Sequence, residues 1–401
     1  QHLRPELRGK PVAVVPLEAD TTSCIAASIQ AKAFNVRTGT KVGEAKRLCP
    51  GLVLVKARPE EYVRHHHAVL AAIETVVPVD GVHSIDEASC RLLGPQRLES
   101  RAIELALGIK RAIAERVGET LTCSVGLAPN RFLAKVAADM RKPDGLTVLR
   151  LEELPGAVAH LKLTDFPGIG PKMAERLSGA GIRTTEDLLA RSETELARAW
   201  GSVVGREWWH RLRGVDLHET KNRRRSIGHS HVLGPERREH DKARAVAFRL
   251  ASKASSRARQ LGYVAEHITL SISYLAEPGE RRRGGGSGSS WKGAKWSERA
   301  PLGHAADTLA VVEALSKLWA RAPVGRVLKL GVTLHDLVRE GEAASLFAEQ
   351  RHRAKLAGAI DKINRKFGSE TLYSAAMHDA RKTAPKRIAF GSIPEEDGRE
   401  S

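Results

Sequence analysis

Across residues 161–216 the β-branched, alternating runs seen elsewhere in the chain stop, and short helical segments punctuated by glycines take over. On either side the pattern returns to mixed strand and helix periods. No single sheet can run through such an interruption, so the chain must fold as several domains; its 401 residues are enough for two to four at roughly 150 each. Lys and Arg number 65 against 47 Asp and Glu, a net charge of +18. That surplus favours polyanionic partners, because cations that neutralise phosphates release condensed counterions. It is unevenly placed: residues 221–260 carry 12 Lys or Arg against 3 Asp or Glu, half of the whole excess in a tenth of the length. No apolar run approaches the ~18 residues of a membrane helix, so a soluble chain with no membrane partner is expected. Cys24, Cys49, Cys90 and Cys123 form no C-x-x-C pair and no close spacing with His, which argues against a disulfide framework or a zinc site. Gln1-His2-Leu3-Arg4-Pro5-Glu6 lacks the apolar stretch of a signal peptide, which points to a reducing, cytosolic setting.

Residues 12–15 and 52–55 read as strands, with helical spacing over 43–48 and 60–77. Residues 81–93 read as two short strands meeting near Asp86, followed by a helix over 103–117, a strand over 122–127, a helix over 131–140 and a strand over 146–149. That order predicts an antiparallel or mixed sheet backed by helices on one face. Beyond the helical passage, the basic linker Lys221-Asn222-Arg223-Arg224-Arg225 leads into a second α+β region. Its strands fall at 226–233, 267–274 and 326–332, and its helices at 241–261 and 307–320. The low-complexity stretch 281–290 reads as a mobile hairpin loop, and a tail after Leu337 holds one amphipathic helix, 350–367, before a disordered acidic end.

Three motifs carry chemistry. Phe166-Pro167-Gly168-Ile169-Gly170-Pro171-Lys172 joins two short helices as a helix-hairpin-helix: two glycines admit a phosphate to the backbone, amides of the next helix face it, and Lys172 adds charge. Such a grip reads the DNA backbone rather than the bases. In Ser84-Ile85-Asp86-Glu87-Ala88, adjacent carboxylates on a regular strand would face opposite ways, so both serve one metal only where the strand turns or bulges. Two carboxylates plus phosphate oxygens make the hard donor set of Mg²⁺. The third is Asn130 to Gly145, a helix ending in Arg141-Lys142 and stopped by Pro143-Asp144-Gly145, which holds Lys142 beside the turn.

These motifs, in this order and followed by a basic α+β region, resemble the Y-family translesion DNA polymerases over residues 3 to about 337. The leading segment from Leu3 to Val14, the fingers-helix segment Lys41-Val42-Gly43-Glu44-Ala45-Lys46-Arg47-Leu48-Cys49-Pro50 and the entry Arg225-Ser226-Ile227-Gly228-His229 add to the likeness. The resemblance implies an α+β multidomain, right-hand polymerase fold. Its parts would be fingers (1–58), palm (59–160), a helical thumb (161–220), the linker (221–225), an α+β little finger (226–340) and a tail (341–401). It implies template-directed addition of dNTPs to a primer 3′-hydroxyl by two-metal phosphoryl transfer in damage tolerance, at the nucleoid in the bacterial cytoplasm. By the same likeness Asp86 and Glu87 are metal-binding catalytic carboxylates for two Mg²⁺ ions, with Mn²⁺ as a substitute. Lys142, Lys32 and Ser28 face the nucleotide, and Gly168, Gly170, Lys172, Arg223, Arg224, Arg225 and Ser226 contact primer-template DNA. Ser345-Leu346-Phe347 is faintly like the peptides by which such polymerases dock on the sliding clamp.

Two departures follow. The family's first metal-binding Asp and its aromatic steric gate lie on a strand upstream of the Leu3 segment, and the sequence is expected to begin after both. Where many members place Tyr and Arg over the triphosphate, this chain has Ile29, which lacks a hydroxyl, and Lys32, which keeps the charge but not the bidentate geometry. The rival reading is a non-catalytic, polymerase-like DNA-binding subunit of a mutagenesis complex, favoured by the absent strand and opposed by Asp86-Glu87. A repair nuclease or glycosylase would have no constellation beyond the same two acids. His65-His66-His67 faces three directions on a helix and reads as an exposed turn rather than a metal site. Trp208-Trp209 and the pair Trp291 and Trp296 read as core or loop anchors rather than base-stacking platforms.

Overall fold

The computed structural model of the chain describes residues 1–20, 22–217, 224–275, 292–342, 348–368, 371–380 and 383. The chain divides into two units, Gln1–Thr220 and Lys221–Lys386. In the first, β1 (Val12–Val15) lies between β2 (Ala26–Ala27), antiparallel to it, and β3 (Val53–Lys56), parallel to it. The short helices α1 (Ile29–Ala33) and α2 (Val42–Leu48) sit between β2 and β3 in sequence, and Val15, Ala31, Val36, Val42 and Ala45 close a small core. Next come α3 (Pro59–Glu74), β4 (Gly81–Ser84), β5 (Glu87–Ser89), α4 (Glu99–Arg116), β6 (Val125–Leu127), α5 (Arg131–Met140) and β7 (Leu146–Val148). Helices α3 and α4 pack through Ile73 and Ile113, with Val77, just beyond α3, in the same core.

The single mixed sheet expected here does not form. Strand β4 pairs with β5, and β6 pairs in parallel with β7, giving two separate two-stranded ladders. Strands of three or four residues offer few ladder positions, and among the described residues no further strand bridges the two pairs. The parallel pair needs a crossover, which α5 supplies. Gly126 lets α5 lie close, since a Cβ there would stand 2.0 Å from the Ala134 carbonyl oxygen. Asn130 caps α5, accepting from Leu133 N at 2.8 Å. The same side chain donates to the carbonyls of Arg211 and Val215 at 2.8 and 3.1 Å.

Those two carbonyls belong to the end of the helical passage, α6 (Pro171–Gly179), α7 (Thr185–Ala190), α8 (Glu193–Trp200) and α9 (Val204–Leu212). Capping boxes begin two of them: Thr184 with Asp187 at α7, and Ser192 with Glu195 at α8. Leu133, Val136 and Ala137 of α5 share one core with Phe166, Leu177, Leu196, Trp208 and Leu212. Trp208 is buried, its ring 4.8 Å from Phe132 and 5.1 Å from Trp200.

The second unit runs β8 (Ser226–Val232), α10 (His240–Gln260), β9 (Tyr263–Leu275), β10 (Lys292–Ala305), α11 (Thr308–Arg321), β11 (Val327–Arg339) and α12 (Ala348–Phe367). Its strands form one antiparallel sheet in the order β10-β9-β11-β8. Strand β10 goes unannounced in the sequence: 292–305 contains no Val, Ile or Thr, so its pairing with β9 rather than its own propensity makes it a strand. Val246, Leu250 and Ala254 of α10 and Leu315 of α11 pack on Ile268, Leu270, Leu330 and Val332, so both helices cover one face. Helix α12 joins them through Arg259, whose Nε and Nη2 donate to Asp361 at 2.7 and 2.8 Å.

One consequence of the sheet's alternation is testable. Ile227, His229 and His231 of β8 turn inward while Ser226, Gly228 and Ser230 stay exposed. Burial, with Lys253 and Arg257 nearby, pulls the His229 pKa from 6.5 down to about 4. The unfolded chain therefore takes up this proton first as the pH falls. Stability is complete above about pH 6.5 and is lost toward pH 4, by about 3 kcal/mol in all. Thermal unfolding between pH 7.5 and 4.5 should fall more steeply for the native protein than for His229→Gln; parallel curves would refute the assignment.

Arg223, the low-complexity stretch 281–290, Trp291, Ser345-Leu346-Phe347 and the acidic end all lie outside the described residues. The four cysteines are free. Among the described residues no helix is long and apolar enough to cross a membrane.

Candidate active site and nucleic-acid face

In the β4–β5 hairpin Ser84 faces Glu87, leaving Ile85 and Asp86 as the two turn residues, and the register slips by one at His83. The turn and the bulge together remove the regular alternation that would send neighbouring carboxylates to opposite faces. The Asp86 carboxylate accepts from the buried Ser84 Oγ at 2.6 Å. Glu87, first in β5, pairs with Lys135 Nζ of α5 at 2.6 Å. Lys135 also reaches Asp139 at 3.1 Å, and Asp139 holds Lys142 at 2.6 Å.

Glu87, Lys135, Asp139 and Lys142 thus form a chain of alternating sign. Burial pulls the Lys135 ammonium down, but its bonds to Glu87 and Asp139 outweigh this and leave it above its ordinary value. Burial likewise pushes Asp139 up, and the two lysines more than reverse it. The sequence singles out Lys142 but not Lys135 or Asp139. The four-residue spacing of Lys135 and Asp139 along one helix face, with Lys142 three residues further on just past the helix end, is the signal that could have found them. Two hard carboxylates with an ammonium seated on one of them, in the role of a stand-in cation, suit a divalent ion.

The histidine triplet corrects its expectation, because none of the three is exposed. His65 Nδ1 donates to the Glu61 carbonyl at 2.7 Å, and His66 is buried with Nδ1 2.8 Å from the Ile85 carbonyl. A helix that packs on the hairpin must point one of three successive residues at it.

Ser28 caps α1. Its Oγ accepts from Val12 N at 3.0 Å and Ala31 N at 3.2 Å and donates to the Lys10 carbonyl at 3.3 Å. These bonds commit the hydroxyl to local structure. Lys32 is exposed on α1, beside Ile29, which is 61% exposed.

In the helical hairpin Gly168 has φ +100°, a conformation closed to side chains, whereas Gly170 caps α6 with φ −84°, and a Cβ added there would meet nothing within 4 Å. Backbone shape thus requires a glycine at Gly168 alone, and at Gly170 only the approach of a ligand can require it. Gly168→Ala should cost about 1–2 kcal/mol of stability as well as DNA affinity, while Gly170→Leu should unfold like the native protein yet bind duplex more weakly. Unchanged affinity in both would make the hairpin purely structural. Lys172 is exposed in the first turn of α6.

The face of the second unit's sheet opposite its helices is built of small and cationic residues. Gly228 pairs with Thr333 and Thr333 with Thr269; Ser230 pairs with Gly331 and Gly331 with Ser271; Lys329 pairs with Ser273 and Ser273 with Lys295. Arg224 and Arg225 are exposed where the chain enters β8, as is Ser226. The concentrated charge of residues 221–260 falls largely elsewhere. Arg259 is held by Asp361, Lys242 by Glu239, and Arg249 is buried, all on α10. A second cluster, Glu266, His267 and Asp336, has its ligand atoms within 4.8 Å of one another, but Arg299 already pairs with Asp336.

The impB/mucB/samB family profile matches residues 1–139, its C-terminal domain matches 224–346, and a SAM-like helix-hairpin-helix tandem matches 161–207. A DNA polymerase IV of Moorella thermoacetica is 32% identical over 385 residues, covering 94% of this chain and 92% of that protein. DNA polymerase IV 1 of Bacillus subtilis is 28% identical, covering 99% and 94%. Among solved structures, a Y-family DNA polymerase chimera of Dbh and Dpo4 superposes with a TM-score of 0.66 at 24% identity, covering 84% of this chain and 94% of that one. The fold is therefore the α+β multidomain polymerase fold. Because the likeness to the Moorella protein runs through nearly the whole of both chains, and not through one shared module, the chain belongs to the Y-family DNA polymerases.

Proposed function

We propose that the protein is a translesion DNA polymerase that adds dNTPs to a primer 3′-hydroxyl opposite a template strand. The observation that carries this reading is the Asp86-Glu87 turn set against the Lys135, Asp139 and Lys142 side of α5. In this reading Asp86 and Glu87 hold Mg²⁺, or Mn²⁺ in its place. The bound ions supply charge neutralisation on the triphosphate and acidify the primer hydroxyl. Ser84 orients the Asp86 carboxylate, and Lys135 pairs with that of Glu87. Lys142, 57% exposed, exchanges Asp139 for the phosphate oxygens of the nucleotide. The primer O3′ bonds to the α-phosphorus as the bond to the departing pyrophosphate breaks.

The division into fingers (1–58), palm (59–160), thumb (161–220), linker (221–225), little finger (226–340) and tail (341–401) is part of the same proposal. The hairpin at Gly168 and Gly170 and the Gly/Ser/Thr/Lys face of the sheet then grip primer-template DNA by its backbone, at the nucleoid in the bacterial cytoplasm, with a sliding clamp as a further partner. Small residues let the DNA backbone approach the sheet closely, and Lys295 and Lys329 meet its phosphates. Primer extension by the full-length protein with Mg²⁺, on undamaged and abasic templates, tests the reading. Binding without extension on either template would refute it.

A further inference from the structure

Hairpin turns with two central residues can flip their middle peptide: type I and type II turns, and their mirror images, differ mainly by a half-rotation of the peptide between the two turn residues. In this protein that peptide joins Ile85 to Asp86. Its orientation sets the direction in which the Asp86 side chain leaves the backbone. A flip would change φ at Asp86 and turn the peptide's carbonyl and N–H to the opposite sides of the hairpin.

Ser84 acts on the carboxylate itself, through its Oγ at 2.6 Å, and also accepts from Asp86 N at 3.3 Å. The second bond holds the N–H end of the Ile85–Asp86 peptide, and His66 holds its carbonyl end: in the middle of α3 and 6% exposed, it lies with Nδ1 2.8 Å from the Ile85 oxygen. A carbonyl only accepts, so Nδ1 carries the proton in this contact. The imidazole is backed by the His67 ring, whose centroid is 5.3 Å away and nearly edge-on. A buried donor on a 16-residue helix is a rigid anchor, and a flip would leave it buried without its acceptor.

We propose that His66 is a positioning residue for catalysis, acting through the Ile85 carbonyl to lock the turn that presents Asp86. The proposal rests on the reading of Asp86 as a metal-binding carboxylate. The role is mechanical and separate from any proton transfer.

The test compares His66→Leu, which keeps the bulk without the donor, with His66→Asn, whose amide nitrogen falls near the position of Nδ1, and His66→Gln, whose amide lies farther out. Amide hydrogen exchange across residues 81–89, duplex affinity, and single-turnover primer extension by the full-length protein are the readouts. His66→Leu should exchange at least tenfold faster at the turn and extend primers about 10- to 100-fold more slowly, with KM for dNTP and DNA affinity within twofold of native. His66→Asn should recover most of both losses. Native exchange in His66→Leu, or an Asn variant as impaired as the Leu variant, would overturn the proposal in favour of packing alone. Should His66→Leu fail to fold, equal exchange in His66→Asn and His66→Gln would overturn it. Fast exchange with native extension would support His66 as the holder of the turn and overturn instead the reading that the turn serves catalysis.

Discussion

Asp86→Ala in the full-length protein should slow primer extension by at least about 1,000-fold, equivalent to about 4 kcal/mol of lost transition-state stabilisation, while leaving DNA affinity within a few-fold of native. The large effect follows from position. Asp86 sits on a two-residue turn, its carboxylate aimed by Ser84 and its neighbour Glu87 already facing a cation, Lys135. Removing one of two adjacent hard donors leaves a divalent ion without the oxygen set it requires. The small effect on affinity follows because the proposed DNA contacts lie on the helical hairpin and the sheet of the second unit. A burst-phase extension assay beside a fluorescence titration of labelled duplex measures both. Retained extension in Asp86→Ala would remove the metal role, and a parallel loss of DNA affinity would mean that the turn is part of the DNA grip.

Duplex binding should weaken on the order of 1,000-fold between 50 and 200 mM salt, with little dependence on sequence, as expected for contacts made mainly to phosphates. The structure allows a sharper form of this expectation. Lys295 and Lys329 lie on the open face of the sheet, flanking Ser273, whereas Lys242 lies on α10 against the opposite face and is paired with Glu239. Lys295→Ala and Lys329→Ala should each reduce the slope of log affinity against log salt by about one, and Lys242→Ala should leave it unchanged. The opposite ranking would place the DNA on the helical side and overturn the assignment of the face.

Much of the candidate site was legible because its signals are local. Asp86 and Glu87 are adjacent, the hairpin glycines are two residues apart, and Lys142 follows directly on a helix with a clear stop. The strand–turn–strand reading around Asp86 needed only short-range pattern, and β4 and β5 meet there. The strong alternation in Ile268-Thr269-Leu270-Ser271-Ile272-Ser273-Tyr274 likewise announces a strand with one small polar face.

What escaped was set by pairing across long sequence distances. Strand β10 has no propensity of its own and exists through its ladder with β9. His66 lies 19 residues from the carbonyl it holds, and in sequence it looks no different from His65 or His67. Glu87 and Lys135 meet only because α5 crosses over the short parallel pair β6–β7, at a distance that Gly126 permits. Charge shows the division most plainly. The sequence by itself determined that a basic, multidomain chain carries paired carboxylates, a helix-hairpin-helix and an excess of positive charge near residues 221–260, since composition and local periodicity are properties of neighbours along the chain. Which cations face outward was decided by the tertiary structure alone. Packing α10 on the sheet commits Arg259 to Asp361 and buries Arg249, while strand alternation brings Lys295 and Lys329, from outside that stretch, onto the open face.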